Sequence, residues 1–168
     1  TDATVYWVEA QDGGDPRIDA EVRDIVLMLP APFEGDPTPL VALGFRYGGM
    51  DWASNDLALA SEWWWQTRRT RTWRVRPGSP DAEPELVFDR SWEDRYNDPG
   101  RPIDVPTPSG TRVLLTADNG SVVFLSGSGA SPEGSRYLSA WWGEPSGPPS
   151  RRCVRPRGPR PAARPLVA

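Results

Sequence analysis

Arg68, Arg69 and Arg71, with Arg74 and Arg76 behind them, place five guanidinium groups within nine residues. Planar forks at such density can clamp a carboxylate through paired hydrogen bonds. Directly before them stands Trp63-Trp64-Trp65. Neighbours on a strand point to opposite faces, so one ring of the three meets a second surface, where Trp64 could stack on a sugar or a peptide. Each group also has a plain structural reading. The arginines suit a solvated hairpin tip with acids as partners, and large rings fill the space between twisted sheets.

Other chemistries are excluded by residue type. The sequence contains no histidine, no lysine and one cysteine, Cys153. A Ser-His-Asp triad needs an imidazole to accept the serine proton. The string Ser126-Gly127-Ser128-Gly129-Ala130-Ser131 lacks the spacing of a nucleophile elbow. A thiolate or imidazole zinc site and a lysine-bearing phosphate loop lack their residues as well. Acid groupings exist: Asp12 with Asp15, Asp81 with Glu83 and Glu85, and Asp89 with Glu93 and Asp94. Two carboxylates can support glycoside hydrolysis, but these lie in or beside turns, where solvated acids are expected. No catalytic residue, metal ligand or cofactor is assigned.

Charge divides the chain. Residues 146–168 hold six arginines and no acid, whereas the first 145 residues hold thirteen arginines and twenty-three acids. An acidic body is a poor electrostatic footprint for nucleic acid. The basic tail has no interleaved aromatics on which bases could stack. No apolar run reaches the roughly 18 residues of a membrane span. The N-terminus shows no secretory pattern, so the cytoplasm is the expected location.

The elements that must position these residues read as short β runs between turn signals. Thr4–Ala10 is β-branched and aromatic, and Gln11–Pro16 is a turn. Asp15–Leu29 is the nearest stretch to a helix, with Pro16 where one could start, yet the unbroken apolar run Ile25–Leu29 makes Arg23–Leu29 a strand. Pro39–Phe45 is a third run, and a short piece surrounds Trp52. Leu57–Gln66, a polar turn Thr67–Thr70 and Arg71–Val75 form a hairpin, followed by Glu85–Phe88. Thr111–Ala117 and Ser121–Ser126 form another, around an Asn119-Gly120 pair suited to a type I′ turn. Leu57–Phe88 and Thr111–Leu138 repeat loosely with the spacing of a propeller blade.

Several of these strings resemble the propeller of prolyl oligopeptidase family serine peptidases, in particular the glutamyl endopeptidase branch. They are Thr4–Asp15, Arg23-Asp24-Ile25-Val26, Thr67–Trp73, Phe88-Asp89-Arg90-Ser91 with Glu93-Asp94, Asp98-Pro99-Gly100, Thr107-Pro108 and Gly127–Gly134. They keep the family's order from Thr4 to Gly134. The resemblance implies an all-β fold: a partial β-propeller of two to three four-stranded blades over residues 1–142. The segment 143–168, rich in proline and arginine, is expected to be a disordered tail, because it cannot offset its ordering entropy. The resemblance further implies a peptide substrate and a partner α/β-hydrolase domain in a longer parent, with the catalytic triad in that domain and none of it here. The likeness is loose over Ser135–Trp142 and ends by about Glu144, which suggests a truncated or frameshifted product or a fragment of a larger gene. Such a portion would gate peptide access and be inactive alone. The alternative is a stand-alone β-domain that binds glycan or peptide through its tryptophans.

Overall fold

The computed structural model describes residues 3–127, together with the backbone of Tyr137–Trp142 and Ser150–Val154. The fold is all-β. Three antiparallel sheets follow one another along the chain, and a two-stranded ribbon stands beside them.

The first sheet contains β1 (Thr4–Ala10), β2 (Asp24–Pro30) and β3 (Thr38–Leu43), in that order. The run read as strand rather than helix is β2, the middle strand. Val26, Leu27 and Met28 are all buried there, and Val26 and Met28 belong to the core shared with the second sheet. Pro39 lies on β3 opposite Leu27, beside an irregularity in the β2–β3 register. An edge strand tolerates a residue without an N–H.

The second sheet contains β4 (Arg46–Ser54), β5 (Leu57–Trp64), β6 (Arg69–Val75) and β7 (Glu85–Ser91), again in order. On β5 the alternation is Leu, Ala, Leu, Ala, and all four side chains are buried. Ala58 and Ala60 pack with Val26, Met28, Leu40, Val41 and Leu43 of the first sheet. Leu57 and Leu59 pack with Val87, Phe88, Leu114, Val123 and Leu125. The second sheet therefore lies between two apolar layers. Gly48 belongs to a bulge on β4, and a Cβ there would stand 3.0 Å from the Ser61 hydroxyl and 3.2 Å from the Trp63 ring.

The third sheet has the order β11 (Thr116–Ala117), β12 (Val122–Gly127), β13 (Tyr137–Trp142) and β14 (Ser150–Val154), with β8 (Arg101–Pro102) also paired to β12. The strands β9 (Asp104–Pro106) and β10 (Arg112–Leu114) form the ribbon. Asp118 (φ 48°), Asn119 (φ 55°) and Gly120 (φ 85°) all adopt left-handed backbone, and Ala117 pairs with Val122, so the left-handed Asn119-Gly120 pair sits inside a four-residue loop rather than a two-residue hairpin turn.

The strand expected over Thr111–Ala117 is two short ones, β10 paired with β9 and only β11 paired with β12, and two further details depart from the sequence reading. The β5–β6 turn is Trp65–Arg68, not Thr67–Thr70: Trp64 pairs with Arg69 and Glu62 with Arg71. The earlier turn leaves Glu62, a fully buried carboxylate, opposite a guanidinium. Second, Ser150–Val154 lies inside the stretch expected to be disordered, but it pairs along β13. A neighbouring strand supplies the ladder bonds that so short a run cannot form alone. The rest of 143–168 lies outside the described residues.

Candidate functional site

The seam between the first two sheets has unlike ends. One end collects charge. The turn after β1 carries Gly13 and Gly14 at φ 65° and 79°, and this left-handed path curls the backbone so that Asp12 accepts the Gly14 N–H at 3.0 Å. Asp12 also accepts from Arg23 Nη1 at 2.7 Å, and both of its oxygens meet Arg46 Nη2 at 2.7 Å. Arg46 Nη1 reaches Asp24 at 2.7 Å, and Asp24 in turn accepts the Tyr47 N–H at 2.7 Å. Two acids and two arginines thus form a neutral, largely buried cluster that ties β1 and β2 to the start of β4. Burial pushes the Asp12 carboxyl up, but the hydrogen bonds from Arg46, Gly14 and Arg23 outweigh it and hold the group below its usual range.

Beside this cluster, Glu62 accepts the Phe45 N–H at 2.6 Å and the Trp73 indole N–H at 2.9 Å. Arg71 lies 3.6 Å from Glu62 and 3.4 Å from Asp89, with its guanidinium 4.2 Å over the Phe45 ring. The other end of the seam opens into a cleft of about 630 Å³, lined by Tyr6, Met28, Trp52, Pro77, Pro80 and Val113 among others. Burial and a hydrogen bond with Tyr6 push the Tyr47 phenol above its usual range just behind that cleft.

Each of the residues singled out from sequence has a definite place. Arg68 pairs with Glu93 where both side chains are more than half exposed. Arg69 and Arg71 share Asp89 across the β6–β7 pair. The three arginines are thus brought to one sheet end, each already facing a carboxylate, and a ligand acid would have to compete with that partner. Trp64 is not with them. It is 6% exposed, and the Arg23 guanidinium covers its ring at 4.0 Å. The exposed rings are Trp63, Trp65 and Trp92, with Trp63 edge-on to Trp92 at 5.9 Å.

The acids read as solvated turn residues divide. Glu93 is exposed, and Asp94 binds Asn97 in a turn. Asp12 is the correction: it is 4% exposed and sits at the centre of the buried cluster. The usable signal was Arg23-Asp24, two opposite charges at the start of a doubly apolar strand, where burial forces each to find a partner. Among the described residues no group of three or more His, Cys, Asp and Glu side chains could hold a metal ion.

Over 138 residues, 79% of this chain, the sequence is 47% identical to a probable chloroplastic glutamyl endopeptidase of Arabidopsis thaliana. It is 45% identical over the same length to a probable chloroplastic glutamyl endopeptidase of Oryza sativa subsp. japonica. The chain spans 14% of the first relative and 15% of the second. No family model and no solved structure matches. The likeness runs over most of this chain's own length and a small part of each relative's, so the chain is homologous to one region of glutamyl endopeptidases of the prolyl oligopeptidase family.

Proposed function

We propose that this chain is the propeller portion of a serine peptidase, which shapes the access of peptides to a hydrolase domain encoded elsewhere in a longer polypeptide and has no hydrolytic activity alone. The likeness to the two endopeptidases over 138 residues carries this reading. Two further observations support it. Antiparallel sheets in chain order, with the middle one covered by apolar side chains on both faces, are what successive blades need. The sequence also has no histidine to serve a triad.

The test is a chimera in which this segment replaces its counterpart in one of the relatives. The chimera should hydrolyse short peptides containing glutamate, while the isolated chain should not. A chimera that folds yet hydrolyses nothing would sink the reading, as would hydrolysis by the chain alone. A second reading, a stand-alone domain that stacks glycan or peptide on tryptophan, is favoured by the exposed Trp63, Trp65 and Trp92. Oligosaccharide that quenches their fluorescence, with the quenching abolished by Trp63→Ala, would select that reading.

A further inference from the structure

The loop between β2 and β3 covers residues 31–37, and from Pro32 to Pro37 every residue is exposed. Its base is held. Ala31 N–H donates to the Ala3 C=O at 2.7 Å, and Phe33 N–H donates to the Pro30 C=O at 2.8 Å. Beyond Phe33 the holding stops. Among the described residues no hydrogen bond or ion pair meets Glu34, Gly35 or Asp36. Gly35 has φ +88°, and a Cβ there would find nothing within 4 Å. Exposed loop tips with small and polar residues are where a folded chain is most readily nicked. Drawing this one out into an extended form breaks a single backbone bond, that of Phe33.

The residues of the loop select the class of enzyme. Asp36 is followed by Pro37, whose ring hinders cleavage of the bond between them. Phe33 is pinned by its N–H. That leaves Glu34–Gly35, an exposed carboxylate before a residue without a side chain. Other described glutamates are less open. Glu9 and Glu85 lie in ladders, Glu62 is fully buried, and Glu83 precedes Pro84. Glu93 is paired with Arg68. Glu21 leads directly into Arg23, which is fixed by its N–H to Leu43 and by its guanidinium to Asp12.

We propose that the β2–β3 loop is a processing site for a glutamate-directed endopeptidase, cut between Glu34 and Gly35, and that the nicked chain stays assembled. Water adds across the bond: its hydroxyl goes to the Glu34 carbonyl carbon and its proton to the Gly35 nitrogen, which leaves as an amine. The two pieces remain joined by the β2–β3 ladder from Asp24 with Leu43 to Met28 with Thr38. Val26 and Met28 stay packed with Leu40, Val41 and Leu43. Arg46, beyond the cut, still binds Asp12 and Asp24 before it. The inference does not rest on the peptidase reading, because the cutting enzyme is a separate one.

The test treats the full chain with a trace of a glutamate-specific endopeptidase and follows each bond by fragment mass. Within residues 3–127, the bond after Glu34 should be cut at least tenfold faster than any other. Glu34→Gln should slow that cut at least a hundredfold and leave the urea midpoint unchanged. The rate at Glu34 should stay flat in low urea, since local opening exposes too little surface to respond to denaturant. Fragments 1–34 and 35–168 should co-elute in gel filtration at the volume of the intact chain and separate in urea. A first cut after Glu21 or Glu93 would overturn the proposal. So would a rate at Glu34 that climbs with urea as global unfolding does, or release of 1–34 without denaturant.

Discussion

Replacing Glu62 by alanine should be among the most costly single changes in this protein. The side chain is fully buried, and its carboxylate accepts the Phe45 N–H at 2.6 Å and the Trp73 Nε1–H at 2.9 Å. Truncation strands both donors away from water, at about 1–3 kcal/mol each. Arg71 loses its 3.6 Å approach to Glu62 but keeps Asp89 and remains partly exposed, so it adds little. The expected loss is about 4 kcal/mol. Glu62→Gln keeps one acceptor oxygen and should cost about half as much. Trp73→Phe removes one of the stranded donors, so in the alanine background it should cost at least about 1 kcal/mol less than in the parent. Urea titrations of the four proteins, followed by far-ultraviolet circular dichroism, give the comparison. An alanine variant within about 0.5 kcal/mol of the parent would refute the reasoning, as would strict additivity of the two substitutions.

Three further outcomes follow from the same geometry. The Asp12 carboxyl is held below its ordinary value of 3.8, so its contribution is complete above that pH and is lost as pH falls through the depressed folded value. Asp12→Asn should therefore flatten the acid limb of a stability-against-pH curve, and an unchanged limb would show that other acids set it. Gly100 has φ +89°, and a Cβ there would overlap the Ser126 carbonyl; Gly100→Ala should destabilise by about 2 kcal/mol or more and speed hydrogen exchange at Ser126, which pairs β12 with β8. Arg68→Ala breaks only the exposed pair with Glu93 and should change the urea midpoint by no more than the equivalent of about 1 kcal/mol.

The strands were legible where local chemistry decides them. The apolar run of β2, the Leu-Ala alternation of β5 and the Asn119-Gly120 pair each fix a conformation within a few residues. The β5–β6 turn was misplaced by two residues because its position depends on a distant requirement: Glu62 must face Phe45, Trp73 and Arg71 at once. The candidate site was less legible for the same reason. Arg68, Arg69 and Arg71 were visible as a run, but their partners Glu93 and Asp89 are reached only through β6–β7 pairing. Trp64 looked like a platform because sequence shows a ring and not the Arg23 guanidinium lying on it. Asp12 looked solvated because Asp-Gly-Gly is a turn signal, and nothing near it announces Arg46, which lies thirty-four residues away.

The alternation on β5 has a consequence for assembly. Alanine methyls project from one side of the second sheet and leucine side chains from the other. The alanine side has room for bulky neighbours, and Trp52, Trp73 and Met50 occupy it. The leucine side supplies its own bulk and receives Val123 and Leu125. Such a sheet has a front and a back. Turning it over would set Leu57 and Leu59 against Val26, Met28 and Leu40 of the first sheet and carry the alanines, with Trp52 and Trp73 beside them, round to face Val123 and Leu125, so neither layer would keep its fit. Overpacking and cavities both cost stability, so the stacking carries a built-in sense of direction that chain connectivity does not have to impose.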